Sequence, residues 1–166
     1  AEVLDGSPVG IIDRALYAIG NLVVYAPLRN VLGMSRLRVA YTAGAAIGPD
    51  LFRFYRSIGI NLKQLYGSTE TCAYVCLQPD RGVKFDTVGQ AAPGVEIKIA
   101  DNGEVLVRGP MLLKEYYKRP DATVESIDPD GYFRTGDAGF FDATGQLKII
   151  DRAKDVGKLA SGAMYA

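Results

Sequence analysis

The segment Tyr66-Gly67-Ser68-Thr69-Glu70 combines the residue types best suited to chemistry in this sequence. We predict that it follows a strand and opens a helix, where free backbone N–H groups and the positive end of the helix dipole favour phosphate. Ser68 and Thr69 offer hydroxyl donors, and Glu70 offers a carboxylate of the kind that binds Mg²⁺. The alternative is an N-cap, in which Ser68 or Thr69 caps the helix and Glu70 lies in its first turn.

Two other turns are candidates for ligand contact. The segment Thr42-Ala43-Gly44-Ala45-Ala46 follows a predicted strand, and its small side chains would let a flat ring or an acyl chain approach the backbone. Its alternative is tight packing of a helix on a strand. In Phe133-Arg134-Thr135-Gly136-Asp137, a loop aspartate could accept two hydrogen bonds from a ribose diol, or it could be a solvated turn residue. The charged segment from Asp151 to Asp155 is interpreted by default as a surface turn.

The composition excludes several classes of site. The 166 residues contain no histidine, which rules out a Ser-His-Asp or Cys-His nucleophile and a histidine-ligated zinc within this chain. The two cysteines are too few for a four-sulfur metal site, so we interpret them as ordinary thiols of a reducing, cytosolic protein. Because 19 basic groups balance 19 acidic groups, no basic footprint for nucleic acid is expected.

The first 36 residues have helical periodicity. Apolar residues recur at spacings of three and four from Ile11 to Val23, and Pro27 is expected to end the helix, with a second short turn running to Gly33. The most apolar stretch, residues 15–28, is interrupted by Asn21 and is judged too short to span a bilayer. We interpret this helix as a core element, with an acyl tunnel or a membrane surface as alternative neighbours.

The rest of the sequence predicts an α/β fold. A strand at 37–41, a helix at 49–58 and a strand at 60–65 indicate part of a parallel layer. Beyond residue 83 the period changes to two, and two hairpins (95–99 with 104–108, and 140–141 with 147–150) indicate an antiparallel sheet or a small barrel. A helical turn is predicted at Pro120–Ser126, and the tail from Asp151 is predicted to be a linker or a frayed end.

Four motifs occur in a family-specific order: YGSTE at 66–70, GEVLVRGP at 103–110 followed by Tyr116-Tyr117, YFRTGD at 132–137, and GQLKIIDRAKD at 145–155. With them the sequence resembles the adenylate-forming superfamily, which comprises acyl-CoA synthetases, luciferases and the adenylation domains of peptide synthetases. The motif sequences YGSTET and DRAKD are most similar to those of long-chain fatty acid–CoA ligases.

The resemblance implies a role for each candidate residue. Tyr66 would stack on adenine within a nucleotide-binding turn that includes Gly67 and Ser68. Thr69 would contact the α-phosphate, and Glu70 would bind Mg²⁺. The small segment beside adenine and the acyl pocket would be Ala43, Gly44 and Ala45. Asp137 and Arg152 would contact the ribose. Lys154 would be the hinge between the large and small domains.

The same resemblance implies a domain plan. Residues 1–78 would be a partial α/β subdomain, 79–150 a β-barrel subdomain, and 151–166 the hinge and a truncated tail. The chain starts without methionine, so we interpret it as a piece of a longer protein. The family's glycine-rich phosphate loop and its adenylation lysine do not match any part of this sequence.

The implied reaction is the adenylation of a fatty acid by ATP with Mg²⁺, followed by transfer of the acyl group to coenzyme A. We expect the isolated chain to be inactive and to self-associate through exposed apolar surface. Two alternatives stay open: a non-catalytic nucleotide-binding or scaffold module, and an adenylating enzyme for aryl or other carboxylates. The expected location is cytoplasmic, with peripheral membrane contact of the full-length enzyme as a further expectation.

Overall fold

The computed structural model describes residues 8–44, 47–158 and 164–165. It begins with one helix in three parts, namely α1 (Ile11–Gly20), a π-helical turn (Asn21–Tyr25) and α2 (Ala26–Val31). The prediction that Pro27 ends the helix is wrong. Pro27 lies in the first turn of α2, and the preceding π-helical turn changes the hydrogen-bond register, so the helix continues past the proline.

The helix Ile11–Val31 has no buried residue. With 21 residues, it is long and apolar enough to cross a membrane by length and composition, although core helices of soluble proteins pass the same test. The prediction that its apolar stretch is too short is therefore wrong, because the helix is longer than the uninterrupted apolar run. Partly buried Tyr25 and Leu28 pack against the buried cluster around Phe52, so the helix is attached at its C-terminal half.

The first sheet has four strands in the order β1 (Ala40–Thr42), β2 (Leu62–Tyr66), β3 (Cys76–Leu77) and β4 (Gln90–Ala91). Helix α3 (Pro49–Ser57) connects β1 to β2, which are parallel as predicted. The other two pairings are antiparallel, so the predicted parallel layer is wrong for this half of the sheet. The physical reason is that the chain returns directly after β2, without the long helical crossover that parallel strands need.

The second sheet is an antiparallel meander of β5 (Glu96–Ile99), β6 (Glu104–Arg108), β7 (Phe133–Phe141) and β8 (Leu147–Arg152). Both predicted hairpins are confirmed. In the first turn, Gly103 has a φ of +88° and the Asn102 side chain accepts a hydrogen bond from the Glu104 N–H at 3.1 Å. The predicted helical turn is confirmed as α4 (Pro120–Ser126) between β6 and β7.

The two sheets share a core. One buried cluster contains residues of both sheets. Its members are Val75, directly before β3, Cys76 on β3, Val105 and Val107 on β6, and Leu147 on β8. A separate cluster packs α3 against β2, with Phe52 completely buried. Because residues of both sheets lie in one cluster, the relative position of the sheets is fixed by apolar packing.

The C-terminal part is more ordered than predicted. Strand β8 continues to Arg152, and β9 (Gly157–Lys158) pairs antiparallel with β10 (Met164–Tyr165). The prediction of a linker or frayed end from Asp151 is therefore wrong for these residues. They have few apolar side chains, but their backbone pairs in strands. The division at 78 and 150 stays a prediction, and the first sheet includes β4 from the predicted second subdomain.

Candidate functional site

A cavity of about 720 Å³ lies where the two sheets meet. Its walls are formed by residues 42–44 at the end of β1, 64–68 at the end of β2, the loop 85–88, Asp137 on β7, and 149–152 on β8. Each wall except the loop is a strand or the turn that directly follows one. Such a junction is a usual location for ligands in α/β proteins.

Asp137 is held from two sides at the wall of this cavity. The Tyr66 hydroxyl donates a hydrogen bond to Oδ2 at 2.6 Å, and Arg152 Nη1 donates to Oδ1 at 2.6 Å. Asp137 and Arg152 are directly opposite each other in the β7–β8 ladder. The prediction of a loop aspartate is therefore wrong, because Asp137 lies within a strand and its position is set by register.

The electrostatics of this group favour a neutral phenol at Tyr66 and a charged guanidinium at Arg152. Burial, with a further contribution from the hydrogen bond to Asp137, raises the pKa of Tyr66 far above its usual range. The same carboxylate raises the pKa of Arg152. At neutral pH, Tyr66 and Arg152 are thus both donors, and Asp137 is their shared acceptor.

The backbone around Asp137 is fixed by its neighbours. Thr135 Oγ1 donates to the carbonyl of Val105 at 2.7 Å and accepts from the Asp137 N–H at 3.1 Å. Gly136 has a φ of +70°, and a Cβ atom there would lie 2.9 Å from Arg152 Nη2. Glycine at this position therefore permits both the backbone conformation and the close approach of the arginine.

The turn after Tyr66 is tight and does not open an α-helix. A Cβ atom on Gly67 would lie 2.3 Å from the backbone of Ala73, and only a three-residue 3₁₀ turn, Thr69–Thr71, follows. The predicted helix N-terminus is therefore wrong. The left-handed conformations of Cys72 (φ 50°) and Ala73 (φ 60°) turn the chain back toward β3. The Ser68 hydroxyl is buried without a hydrogen bond of acceptable geometry among the described residues.

Glu70 points toward a different part of the molecule from Asp137. Its Oε1 accepts a hydrogen bond from the Tyr116 hydroxyl at 3.0 Å, and its backbone carbonyl accepts one from the Leu113 N–H at 2.7 Å. Backbone hydrogen bonding at Glu70 itself is the main factor that holds its pKa below the usual range; the neighbouring Ser68 side chain comes next, and the Tyr116 hydroxyl makes a smaller contribution. Glu70 is therefore charged at neutral pH.

The cavity brings together most of the predicted nucleotide-contact residues: Ala43, Gly44, Tyr66, Gly67, Ser68, Asp137 and Arg152. Thr69, Glu70 and Lys154 are described by the structure but do not line it, and Ala45 lies outside the described residues. Within the described ranges, no group of three or more acidic or cysteine side chains could hold a metal by itself. The roles of these residues stay predictions.

The comparisons with known proteins identify the family. The family model of AMP-binding enzymes matches residues 16–117. The chain belongs to this adenylate-forming family. Among AMP-binding enzymes, a long-chain-fatty-acid–CoA ligase of Mycobacterium bovis is 38% identical over 162 residues, which is 98% of this chain and 27% of that protein. A peroxisomal long chain acyl-CoA synthetase of Arabidopsis thaliana is 34% identical over 92% of this chain and 24% of that protein.

Solved AMP-binding structures have the same fold. A fatty acyl CoA synthetase of Mycobacterium tuberculosis has a TM-score of 0.64 and 32% identity, and the match covers 85% of this chain and 31% of that one. ATP-bound MatB of Rhodopseudomonas palustris has a TM-score of 0.68 and 29% identity, over 75% of this chain and 27% of that one. The chain thus spans about a quarter of the length of the curated relatives it matches.

Two features of the candidate site have no signal in the sequence. The loop 85–88 forms one wall of the cavity, and no local motif distinguishes it. Tyr116 belongs to one of the four motifs, but the motif assigns it no contact, whereas its hydroxyl contacts Glu70. The tyrosine is 46 positions from the glutamate, so only the folded chain shows the contact.

Proposed function

We propose that this chain is a segment of an ATP-dependent fatty acid–CoA ligase. The full-length protein would adenylate a fatty carboxylate with release of pyrophosphate and then transfer the acyl group to coenzyme A. The observation that carries the proposal is the Asp137 carboxylate, which Tyr66 and Arg152 hold at the wall of a nucleotide-sized cavity. The fatty-acid preference is supported by the names of the ligases it is most similar to.

In this proposal Asp137 accepts hydrogen bonds from the ribose hydroxyls. Each carboxylate oxygen has two acceptor positions, so both can take a ribose hydroxyl while they keep their bonds to Tyr66 and Arg152. The ring of Tyr66 offers a surface for adenine. The small residues Ala43 and Gly44 also line the cavity, and their size leaves room for a flat base.

Thr69 and Glu70 would serve the phosphate end of the nucleotide. Thr69 is exposed and can donate its hydroxyl to an α-phosphate oxygen. Glu70 fits Mg²⁺ because this cation is usually bound by one or two carboxylates together with substrate phosphates, which suits a single charged glutamate. When bound, Mg²⁺ would neutralise charge that develops on the phosphate oxygens.

The chain's own residues contribute binding and electrostatic stabilisation, and none of them needs to act as a nucleophile. The fatty carboxylate itself attacks the α-phosphorus, and the donors around the phosphate stabilise the developing charge. The chain alone is expected to form no acyl-CoA, because it covers about a quarter of the matched ligases. Lys154 is proposed as a hinge to the part of the protein that completes the reaction.

The test is Asp137→Asn in the full-length protein that contains this segment, with Asp130→Asn, at an exposed turn, as the control. We expect the Kd of ATP, measured by calorimetry, to rise about tenfold in the first variant, because a charged acceptor is lost. The Kd should not change in the control. An unchanged Kd in Asp137→Asn would remove Asp137 from the ribose role.

A second measurement addresses the carboxylate substrate. Pyrophosphate exchange into ATP is measured with saturated fatty acids of increasing chain length and with aryl acids. Long-chain acids should give the highest rates. Faster exchange with aryl acids would contradict the fatty-acid assignment and support an adenylating enzyme for other carboxylates.

A further inference from the structure

The segment between β6 and α4 contacts Glu70 at two points. The Tyr116 hydroxyl donates to Glu70 Oε1 at 3.0 Å, and the Leu113 N–H donates to the Glu70 carbonyl at 2.7 Å. One contact fixes the carboxylate and the other fixes the backbone of the same residue. Both come from residues outside the YGSTE motif, on the other side of the junction between the sheets.

Tyr116 is itself held by α4. Its backbone N–H donates to Thr123 Oγ1 at 2.9 Å, and this hydroxyl donates to the carbonyl of Arg119 at 3.1 Å. The Arg119 N–H in turn donates to the Tyr116 carbonyl at 3.0 Å. These contacts anchor the backbone of Tyr116 on α4, so its phenol reaches the Glu70 carboxylate from a fixed point of the chain.

The next residue provides a contrast. Tyr117 has the same side chain on the adjacent position but is 82% exposed. A tyrosine retained only for the packing of its ring would not need a hydroxyl directed at a carboxylate. The geometry at Tyr116 instead gives the hydroxyl a specific acceptor at hydrogen-bond distance.

We propose that Tyr116 is a positioning residue for adenylation, whose hydroxyl orients the Glu70 carboxylate and leaves Oε2 to bind the cation that accompanies the nucleotide. This inference rests on the proposed function, in which Glu70 contacts a divalent cation. A carboxylate that rotates freely would lose entropy on binding the cation, and a carboxylate that is already oriented avoids this cost.

The experiment compares Tyr116→Phe, the control Tyr117→Phe and the reference Glu70→Gln in the full-length protein. The first readout is the free Mg²⁺ concentration that gives half-maximal pyrophosphate exchange. The second readout is independent of catalysis: Mn²⁺ binding in the presence of α,β-methylene-ATP, followed by the electron paramagnetic resonance signal of free Mn²⁺. Thermal melting monitors the fold of each variant.

We expect Tyr116→Phe to require roughly threefold to tenfold more cation in both assays, which is the size of effect that one ordinary hydrogen bond produces. Its melting temperature and that of Tyr117→Phe should match the wild type. Wild-type cation dependence in Tyr116→Phe would overturn the proposal, and so would lowered melting with unchanged cation dependence. If Glu70→Gln itself leaves cation binding unchanged, the proposed role of Glu70 fails, which separates that failure from one at Tyr116.

Discussion

The helix Ile11–Val31 exposes apolar side chains, whereas the region between the two sheets buries polar ones. Ile11 is 86% exposed and Val31 is 83% exposed, while Gln78 is 0% exposed. Burial in this molecule therefore does not follow hydrophobicity alone. The two regions differ in whether each side chain finds a suitable partner within the described part of the chain.

Four of the buried polar side chains, those of Gln64, Gln78, Thr87 and Gln146, belong to one hydrogen-bonded network. Gln78 Oε1 accepts from the Gln64 N–H at 2.7 Å, and Gln78 Nε2 donates to the Thr87 carbonyl at 2.8 Å. Thr87 Oγ1 donates to Gln146 Oε1 at 2.7 Å, and Gln146 Nε2 donates to the Gly82 carbonyl at 2.7 Å. The network thus fastens the 82–88 loop, which lines the cavity, to both sheets.

The comparison shows that the loop at the wall of the cavity is held by specific polar pairing, in addition to the apolar packing that joins the two sheets. Buried amides are tolerated where every donor and acceptor finds a partner. The apolar residues of the helix have no equivalent cover within the described residues. We therefore expect substitutions between the sheets to lower stability much more than substitutions in the helix.

The largest effect is expected for Gln78→Leu, which keeps the approximate volume but removes both ends of the amide. The Gln64 N–H and the Lys84 carbonyl would lose the amide as a partner, and the Thr87 carbonyl would keep only Gln64 Nε2, at a cost of about 2–4 kcal/mol in the free energy of unfolding. Urea denaturation measures the change. The control Gln90→Leu, at an exposed position on β4, should change stability by less than about 0.5 kcal/mol. A similarly small change in Gln78→Leu would show that the network does not stabilise the fold.

The sequence predicted local elements much better than this network. The Asp101-Asn102-Gly103 turn and the alternating strands around it are local signals, and both are confirmed. The pairing of Thr87 with Gln146 spans 59 residues and has no local signature. Gly67 and Gly136 were predicted from turn or helix-start patterns for a related reason. The structure needs glycine at these positions because a Cβ atom would collide with Ala73 or Arg152.

The same limit applies to the candidate site. The motifs placed Tyr66, Asp137 and Arg152 in one nucleotide site, and the structure brings the three together. Glu70 does not line the cavity, and its contact with Tyr116 is one that motif spacing cannot show. Residue types therefore indicated the chemistry, while strand register and distant hydrogen bonds determined the geometry.

An intermediate effect on stability is expected at the ion pair that joins the 82–88 loop to the turn between β7 and β8. Lys84 Nζ lies 2.5 Å from Asp142 Oδ2, and this lysine is the main cause that holds the pKa of Asp142 well below its usual range. Because the folded-state pKa is lower than the unfolded value of about 3.9, the stabilisation is fully present above about pH 4. It is lost as the pH falls through the lowered folded-state pKa.

Asp142→Asn should therefore be less stable than the wild type at pH 7, and the difference should shrink as the pH falls below about 4. Urea denaturation at a series of pH values measures this convergence, with exposed Asp155→Asn as the control. A difference that stays constant down to the lowest pH at which the chain folds would contradict a role for the Asp142 charge.

The smallest effect on stability is expected in the helix, where Ile12→Gln with Leu16→Gln replaces residues that are 75% and 62% exposed. The free energy of unfolding should change by less than about 0.5 kcal/mol, because little buried surface is lost. Self-association of the chain, measured by analytical ultracentrifugation, should nevertheless decrease, because a contiguous exposed apolar face favours contact between copies. The control Arg14→Gln changes an exposed charged residue of the same helix and should leave association unchanged. A loss of stability comparable to that of Gln78→Leu would show that this face is buried in solution and would remove the contrast between the two regions.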